Sequence, residues 1–314
     1  MGCPRSGTTL VRDLLRAHSR ITFPHETRTL PRLLAVHGDP GDAAAARRLA
    51  SDLMVASGVR RWGLELDVRS LEHHRSFSGM VRDVFAAWAV AEGKPRWGEK
   101  TPQYALALAA MERIFPGAQV VHVIRDPRAV TASMLRRPWG PATVRSAAAA
   151  WRDTVEAARR DSRRLGPGRY HEVRYESLVQ EPEPVLRELC GFLRERFEPA
   201  MLRPNRLAPD APRTWSALAE VRIVPPPLAE TPLSARDRAA VAWAAGDLMQ
   251  EVGYAPGPRQ APRLDERIRD RVVDRAASLR FRLTAWDRGP RLHEEIVFAR
   301  RRARSRRKPP PPWA

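Results

Sequence analysis

The sequence predicts an α/β fold, with a parallel sheet as the middle layer of three and helices over both of its faces. Two observations carry this reading. Short β-like segments alternate with longer stretches of helical periodicity, the pattern that parallel strands with helical crossovers require. A glycine-bearing turn, GCPRSGTT, also runs without interruption into an amphipathic helix near Met1. With 314 residues, 43% of them hydrophobic, the chain has enough apolar side chain for one large domain with appendages.

In chain order, residues 10–17 read as the first helix, with Leu10, Leu14 and Ala17 on one face and Arg12, Asp13 and Arg16 on the other. β-like segments follow at 21–23, 96–97, 119–124 and 169–173, separated by helical stretches such as 81–91, 104–114 and 147–164. Residues 203–232 are rich in proline, which removes backbone donors, and read as an extended wrapping connection. Helix returns at 234–252. After Gly257 the character changes to an Arg-rich amphipathic helix over 264–288, a second helix at 292–299, and the tail ARRRARSRRKPPPPWA. The expected organisation is a domain over 1–256 and a basic helical extension over 257–314, with no internal repeat.

The net charge of +19 and isoelectric point near 11.3 predict attraction to polyanions, acidic substrates or anionic lipid, and alone do not choose among them. Heavy use of Arg, Ala and Pro also matches the coding bias of a GC-rich genome, which accounts for part of the excess. Two distant cysteines, Cys3 and Cys190, offer neither a disulfide framework nor a zinc ribbon. No apolar run approaches the ~20 residues that span a bilayer, and the N-terminus lacks a signal pattern. A cytoplasmic location is expected.

In GCPRSGTT, Gly2 and Gly7 stand at the GxxxxG spacing of a P-loop, so successive N–H groups can curl around an anion at a helix N-terminus. The domain is therefore P-loop-like. Arg5 suits bidentate phosphate contact, and the hydroxyls of Ser6, Thr8 and Thr9 add donors. The P-loop Lys is replaced by Thr8, and the best apolar strand, QVVHVI, ends in Arg125 rather than an acid for Mg²⁺. Asp126 is one place late, beside a cation that repels metal. These departures suggest a phosphate-bearing donor handled without metal.

GCPRSGTTL and the later VIRDPRAVTASM together resemble the two signature segments of sulfotransferases that use 3′-phosphoadenosine 5′-phosphosulfate, PAPS. The resemblance implies that Arg5, Ser6, Gly7, Thr8 and Thr9 cradle the 5′-phosphosulfate, while Arg125 and Ser133 take the 3′-phosphate. Arg137, one helical turn beyond Ser133, falls on the same face. VRYESLVQEP resembles a further family segment and puts Tyr175 near the nucleotide. The protein-tyrosine sulfotransferase branch and its bacterial relatives are most similar, because likeness continues through AHSRITFPHETRTLPRLL. There it implies Glu26 as general base on the acceptor hydroxyl, with Arg28 and His25 on the acceptor side. WGEKTP resembles the segment whose Lys, here Lys100, stabilises the bridging oxygen, with Arg5 assisting. Such roles suit a transfer that needs positioning, a cation at the leaving oxygen and a base at the attacking hydroxyl.

Other readings of the same residues remain open. HETR can serve as a charged turn capping the helix that holds Arg32, and His25 can replace Glu26 as base. His73 and His74 lack further ligands in register and read as a solvated turn; no metal is expected. The family's nucleotide-closing segment is poorly matched: Pro226 stands near the expected place and Arg222 is the nearest cation. In the tail, Arg300 to Lys308 is nearly all basic and reads as solvated chain, or as contact with an anionic membrane surface together with Leu279, Phe281, Leu283 and Trp286. Nucleic acid is a lesser option. A competing enzyme class is an ATP-dependent small-molecule kinase, and a non-enzyme class is an anionic-surface-binding protein on a degenerate scaffold. The acceptor and the oligomeric state are not readable. Finally, a phosphate loop hangs from a buried strand, and this one begins directly after Met1. The expectation is that the strand is encoded just upstream, Met1 being a misassigned start.

Overall fold

The computed structural model describes residues 1–203, 233–255 and 257–286. Helix α1 (Thr8–Arg16) leads to strand β1 (Ile21–Thr22), then to α2 (Leu30–His37), α3 (Ala43–Val55), the short α4 (Ser57–Arg60) and α5 (Phe77–Ala91). Strand β2 (Arg96–Trp97), a 3₁₀ segment (Pro102–Ala107) and α6 (Leu108–Ile114) precede β3 (Val120–Ile124), α7 (Pro127–Leu135) and α8 (Val144–Ser162). Strand β4 (Tyr170–Arg174) is followed by α9 (Tyr175–Gln180), α10 (Pro182–Leu193), α11 (Ala235–Ala245), α12 (Leu248–Glu251) and α13 (Leu264–Trp286).

The strands are parallel, as expected, but they form two pairs rather than one continuous sheet among the described residues. β1 pairs with β2, Ile21 opposite Arg96, and β3 pairs with β4, Val120 opposite Tyr170 through Ile124 opposite Arg174. The side-chain period of two sorts β3 and β4 between two cores. Val123 and Val173 pack with Val11, Leu14 and Leu15 of α1 and with Leu186 and Leu189 of α10. Ile124 packs on the other face with Val130 and Met134 of α7, Trp151 and Val155 of α8, and Met249 of α12. A third cluster, around Trp62, Phe77, Phe85 and Trp88, joins α2, α3, α5 and α6. This is the three-layer arrangement that the alternation predicts.

Three helices differ from their sequence reading. α5 begins earlier because Ser76 caps it, accepting from the Gly79 N–H at 3.0 Å. The stretch 104–114 divides into 3₁₀ and α segments. The stretch 234–252 breaks at Gly246, whose φ of 64° ends α11 and whose successor Asp247 starts α12. Cys3 and Cys190 are buried, unpaired thiols in different clusters. Most of 203–232, the helix at 292–299, the basic tail, Arg222 and Pro226 lie outside the described residues, as do residues 287 and 288 of the expected 264–288 helix.

Candidate active site

The loop before α1 owes its shape to Gly7. With φ at 94° it turns the chain into the helix, and a Cβ there would lie 2.6 Å from Cε2 of Tyr175 and closer still to Cδ2. Arg5 also adopts a left-handed φ of 76°, a strained choice for a side-chain-bearing residue. Ser6 donates its N–H to the Cys3 carbonyl at 3.1 Å, and its fully buried Oγ has no hydrogen-bond partner. Thr8 is buried at the first position of α1 and Thr9 is exposed beside it. The positive end of the α1 dipole thus opens onto a loop with unused donors.

The loop and the segment after β3 converge although ~120 residues separate them. Arg5 Nε donates to Ser133 Oγ at 3.0 Å, and Arg125 Nη1 donates to the Arg5 carbonyl at 3.2 Å. The Arg125 guanidinium lies 4.2 Å over the Tyr175 ring, with its Nε buried and without a partner. Burial, then the charges of Arg137, Arg125 and Arg136, hold the Arg5 guanidinium below its ordinary pKa. Four mutually repelling arginines around buried, unsatisfied donors form a site that a polyanion would neutralise. Arg136 was missing from the sequence reading, and its adjacency to Arg137 was the available signal.

Asp126 takes no part in this cluster. It caps α7, accepting the Arg128 N–H at 2.8 Å, and the Arg128 guanidinium grips both its oxygens at 2.6 to 3.1 Å. An acid consumed in this way is a poor Mg²⁺ ligand.

Glu26 and Lys100 meet across the mouth of the loop. Glu26 Oε1 is ion-paired with Lys100 Nζ, and Oε2 with Arg28 at 2.6 Å. Lys100 Nζ also reaches Thr9 Oγ1 at 3.4 Å. Burial favours a raised Glu26 pKa, but Lys100 and then Arg28 outweigh it and hold the carboxyl below its usual range. Burial lowers Lys100, with Glu26 opposing. The juxtaposition is held by a residue that sequence reasoning missed. Partly buried Glu99 accepts Thr27 Oγ1 at 3.0 Å, Thr101 N–H at 2.8 Å and Thr101 Oγ1 at 2.6 Å, while Tyr104 Oη lies 2.8 Å from Thr27 Oγ1. These bonds clamp residues 26–28 against 99–101, and Arg28 takes a left-handed φ of 55° within the turn.

The capping role for HETR is not what the structure shows: Thr29 precedes α2 without a side-chain cap, its Oγ1 donating to the Thr27 carbonyl at 3.0 Å. His25 is held below its usual pKa by burial, Arg61 and Arg12, and its carbonyl accepts Trp62 Nε1 at 3.0 Å. Folding supplies the His73–His74 pair with a carboxylate that the sequence did not reveal. Asp83 of α5 lies 3.0 Å from His74 Nε2, and the three ligand atoms fall within 4.8 Å of one another.

Known proteins share sequence or fold with this chain. The "Putative protein-tyrosine sulfotransferase" of Caenorhabditis briggsae is 28% identical over 211 residues, covering 66% of this chain and 68% of that protein. "Protein-tyrosine sulfotransferase 1" of Homo sapiens is 29% identical over 216 residues, covering 66% of this chain and 53% of that protein. "Nodulation protein NoeE" of Sinorhizobium fredii is 28% identical over 218 residues, covering 61% and 48% respectively. The chain thus spans about half the length of several relatives that it matches. The solved sulfotransferase domain from the curacin biosynthetic pathway aligns over 81% of this chain and 96% of its own, with a TM-score of 0.53 and 22% identity, a likeness of fold. The profile of the Sulfotransferase family matches residues 1–199, more than half of the sequence and the part that carries the loop, Glu26, Lys100 and the Arg125 segment, so the chain belongs to that family.

Proposed function

We propose that this protein moves the sulfuryl group of PAPS to a hydroxyl-bearing acceptor, giving a sulfate ester and adenosine 3′,5′-bisphosphate. The observation that carries the reading is the Glu26–Lys100 pair standing beside Thr9 at the α1 N-terminus. PAPS supplies an activated sulfur whose leaving group is a phosphate oxygen. The loop amides, Arg5, Ser6, Gly7, Thr8 and Thr9 bind the 5′ end, and Arg125, Ser133, Arg137 and Arg136 receive the 3′-phosphate, with Tyr175 supporting Arg125. The unpartnered Ser6 Oγ and Arg125 Nε fit that task.

In the transfer, the acceptor oxygen–sulfur bond forms, the sulfur–oxygen bond to phosphate breaks, and the acceptor proton passes to Glu26. Lys100 neutralises charge growing on the leaving oxygen. Once Lys100 turns to that oxygen, Glu26 loses its strongest opposite charge, burial then raises its pKa, and it becomes a better base. The base is therefore strengthened when the donor is in place. His25, depressed by Arg61 and Arg12, is a neutral neighbour on the acceptor side, where Arg28 orients Glu26.

Thermal stabilisation tests the donor class, since a ligand at about 100 times its Kd adds roughly 2.7 kcal/mol. Adenosine 3′,5′-bisphosphate without metal is expected to raise the Tm. A rise with ATP and Mg²⁺ alone overturns the reading in favour of a kinase, which the engaged Asp126 disfavours.

The location proposed is cytoplasmic, with the extension resting on an anionic membrane surface. Among the described residues no helix is long and apolar enough to cross a membrane. On α13, Asp270 and Asp274 bond back to Arg145, Thr143 and Ser146, while Leu264, Ile268, Val272 and Leu279 stand exposed among Arg267, Arg271 and Arg275. That outward face is apolar and basic, as an interfacial helix requires. Flotation with anionic liposomes, lost on ending the chain at Pro256, is expected; equal flotation of both refutes it.

A further inference from the structure

His73 and His74 follow the 3₁₀ turn Val68–Leu71, and Asp83 stands on the second turn of α5. One ligand atom from each of the three falls within 4.8 Å of the other two. In a tetrahedral zinc site with bonds of about 2.0–2.1 Å, neighbouring ligand atoms stand about 3.3 Å apart. A closure of at most about 1.5 Å is needed, which side-chain rotation supplies without moving the backbone.

The surroundings prepare each imidazole for a cation. His73 Nδ1 lies 2.8 Å from the Ser70 carbonyl, which can only accept, so in the neutral ring the proton is on Nδ1 and the lone pair on Nε2. His74 Nε2 is buried and lies 3.0 Å from Asp83 Oδ2, yet the two are not aligned for a hydrogen bond and Nε2 has no other partner. A buried nitrogen facing a carboxylate oxygen in this way is unsatisfied until a positive charge stands between them. The His74 ring uses space that Gly79 leaves open, since a Cβ there would lie 3.1 Å from His74 Nδ1. The turn itself is fixed: Arg75 donates to the carbonyls of Glu72 and His74 at 2.9 and 3.1 Å, and Leu71 and Phe77, which flank the pair, are buried in the core.

We propose that His73, His74 and Asp83 bind a divalent transition-metal ion of the zinc class, with water completing its coordination. Two imidazoles and a carboxylate suit Zn²⁺, whereas Mg²⁺ and Ca²⁺ take oxygen ligands. Glu72 is not a fourth ligand, because its two oxygens grip Arg47 at 2.6 and 2.7 Å. The ion pins the 68–76 turn to α5. It thereby braces the preceding segment, in which Trp62 Nε1 donates to the His25 carbonyl at 3.0 Å and Gly58 packs against the backbone of Glu26 and Thr27. The role is structural: none of the three ligands belongs to the donor loop or to the Glu26–Lys100 pair, so the proposal stands or falls independently of sulfuryl transfer.

The test titrates ZnCl₂ into the full chain, carrying no polyhistidine tag and freed of metal by a chelator, and follows it by calorimetry, Tm and amide hydrogen exchange. One equivalent of Zn²⁺ is expected to bind and to raise the Tm, and Mg²⁺ at the same concentration should do neither. Exchange should slow at residues 70–84 and nowhere else. His73→Ala and Asp83→Asn, both at exposed positions, should each weaken Zn²⁺ binding roughly tenfold or more. No saturable binding overturns the proposal. So does binding to both variants with the affinity of the parent, which would place the ion elsewhere. Because the exchange measurement uses the parent alone, binding without protection at 70–84 overturns it even if a variant fails to fold.

Discussion

Replacing Gly7 with Ala tests whether the loop is held by Tyr175 and whether Tyr175 in turn holds Arg125. Two penalties follow from the geometry. A Cβ at φ 94° costs about 1–2 kcal/mol through the left-handed backbone. The same Cβ meets the Tyr175 ring, which must leave its place beneath Arg125, where the 4.2 Å stacking is worth about 0.5–2 kcal/mol. Gly7→Ala should therefore lower folding stability by about 1.5–4 kcal/mol in urea unfolding. Tyr175→Ala removes the stacking together with the ring's packing against the apolar cluster of α1 and α10. The double variant should cost less than the sum of the two single changes, because both remove the same stacking contact. The resulting coupling, about 0.5–2 kcal/mol, exceeds the ~0.5 kcal/mol within which independent sites add. Strict additivity, or a Gly7→Ala protein as stable as the parent, would refute the argument that glycine is needed for the ring's approach.

Glu26→Gln should reduce sulfate-ester formation about 10²- to 10⁴-fold while leaving adenosine 3′,5′-bisphosphate binding unchanged, as checked by calorimetry beside turnover. Lys100→Met should lower kcat about 10²- to 10³-fold and also move the acid limb of the kcat/KM profile. In the parent, the depressed Glu26 pKa keeps the base ionised to below the ordinary carboxylate range; without Lys100 the carboxyl loses its strongest opposite charge, its pKa rises, and activity is lost at higher pH as the solution is acidified. An unmoved limb would remove Glu26 as the titrating base. For a chain whose amine is at Met1, the folded pKa of about 6 lies below the model-peptide 8.0, so the unfolded chain binds more protons between those values. Stability should then rise by roughly 3 kcal/mol from below pH 6 to above pH 8, and the N-acetylated chain, titrated beside it, should lack that increment.

The glycine-bearing loop was legible because its parts are contiguous: Gly2 to Thr9 fixes both the turn and the start of α1, whatever the rest of the chain does. The parallel strands were legible from their alternation with helices, and Arg5 meeting Ser133 followed from two recognisable segments. The clamp around Glu99 was not legible, since Thr27, Glu99 and Tyr104 acquire meaning only when residues 72 to 77 apart in sequence are folded together. Asp83 joined His73 and His74 for the same reason, and neither periodicity nor local spacing reports such contacts. The break at Gly246 was available in principle, because a glycine followed by Asp inside an apolar helical run is a stop-and-restart signal. The division of the strands into two pairs was not legible, since strand pairing is set by contacts between segments distant in sequence.

Moving the cation out of the phosphate loop has a chemical consequence. A Lys at the Thr8 position would belong to the loop and stay with the phosphates. Lys100 instead arrives from the segment after β2, which Glu99 ties to the turn carrying Glu26. In the proposed transfer, the cation for the leaving oxygen and the base for the attacking hydroxyl would thereby be mounted on one clamped unit, neutralising each other until an anion competes for Lys100. A base held as a weak one by its own partner, and released by the donor's negative charge, gives little proton abstraction without donor. On the proposed mechanism, the absent loop Lys and the Glu26–Lys100 pair are two aspects of one arrangement, in which donor binding and base strength would be set by the same ammonium group.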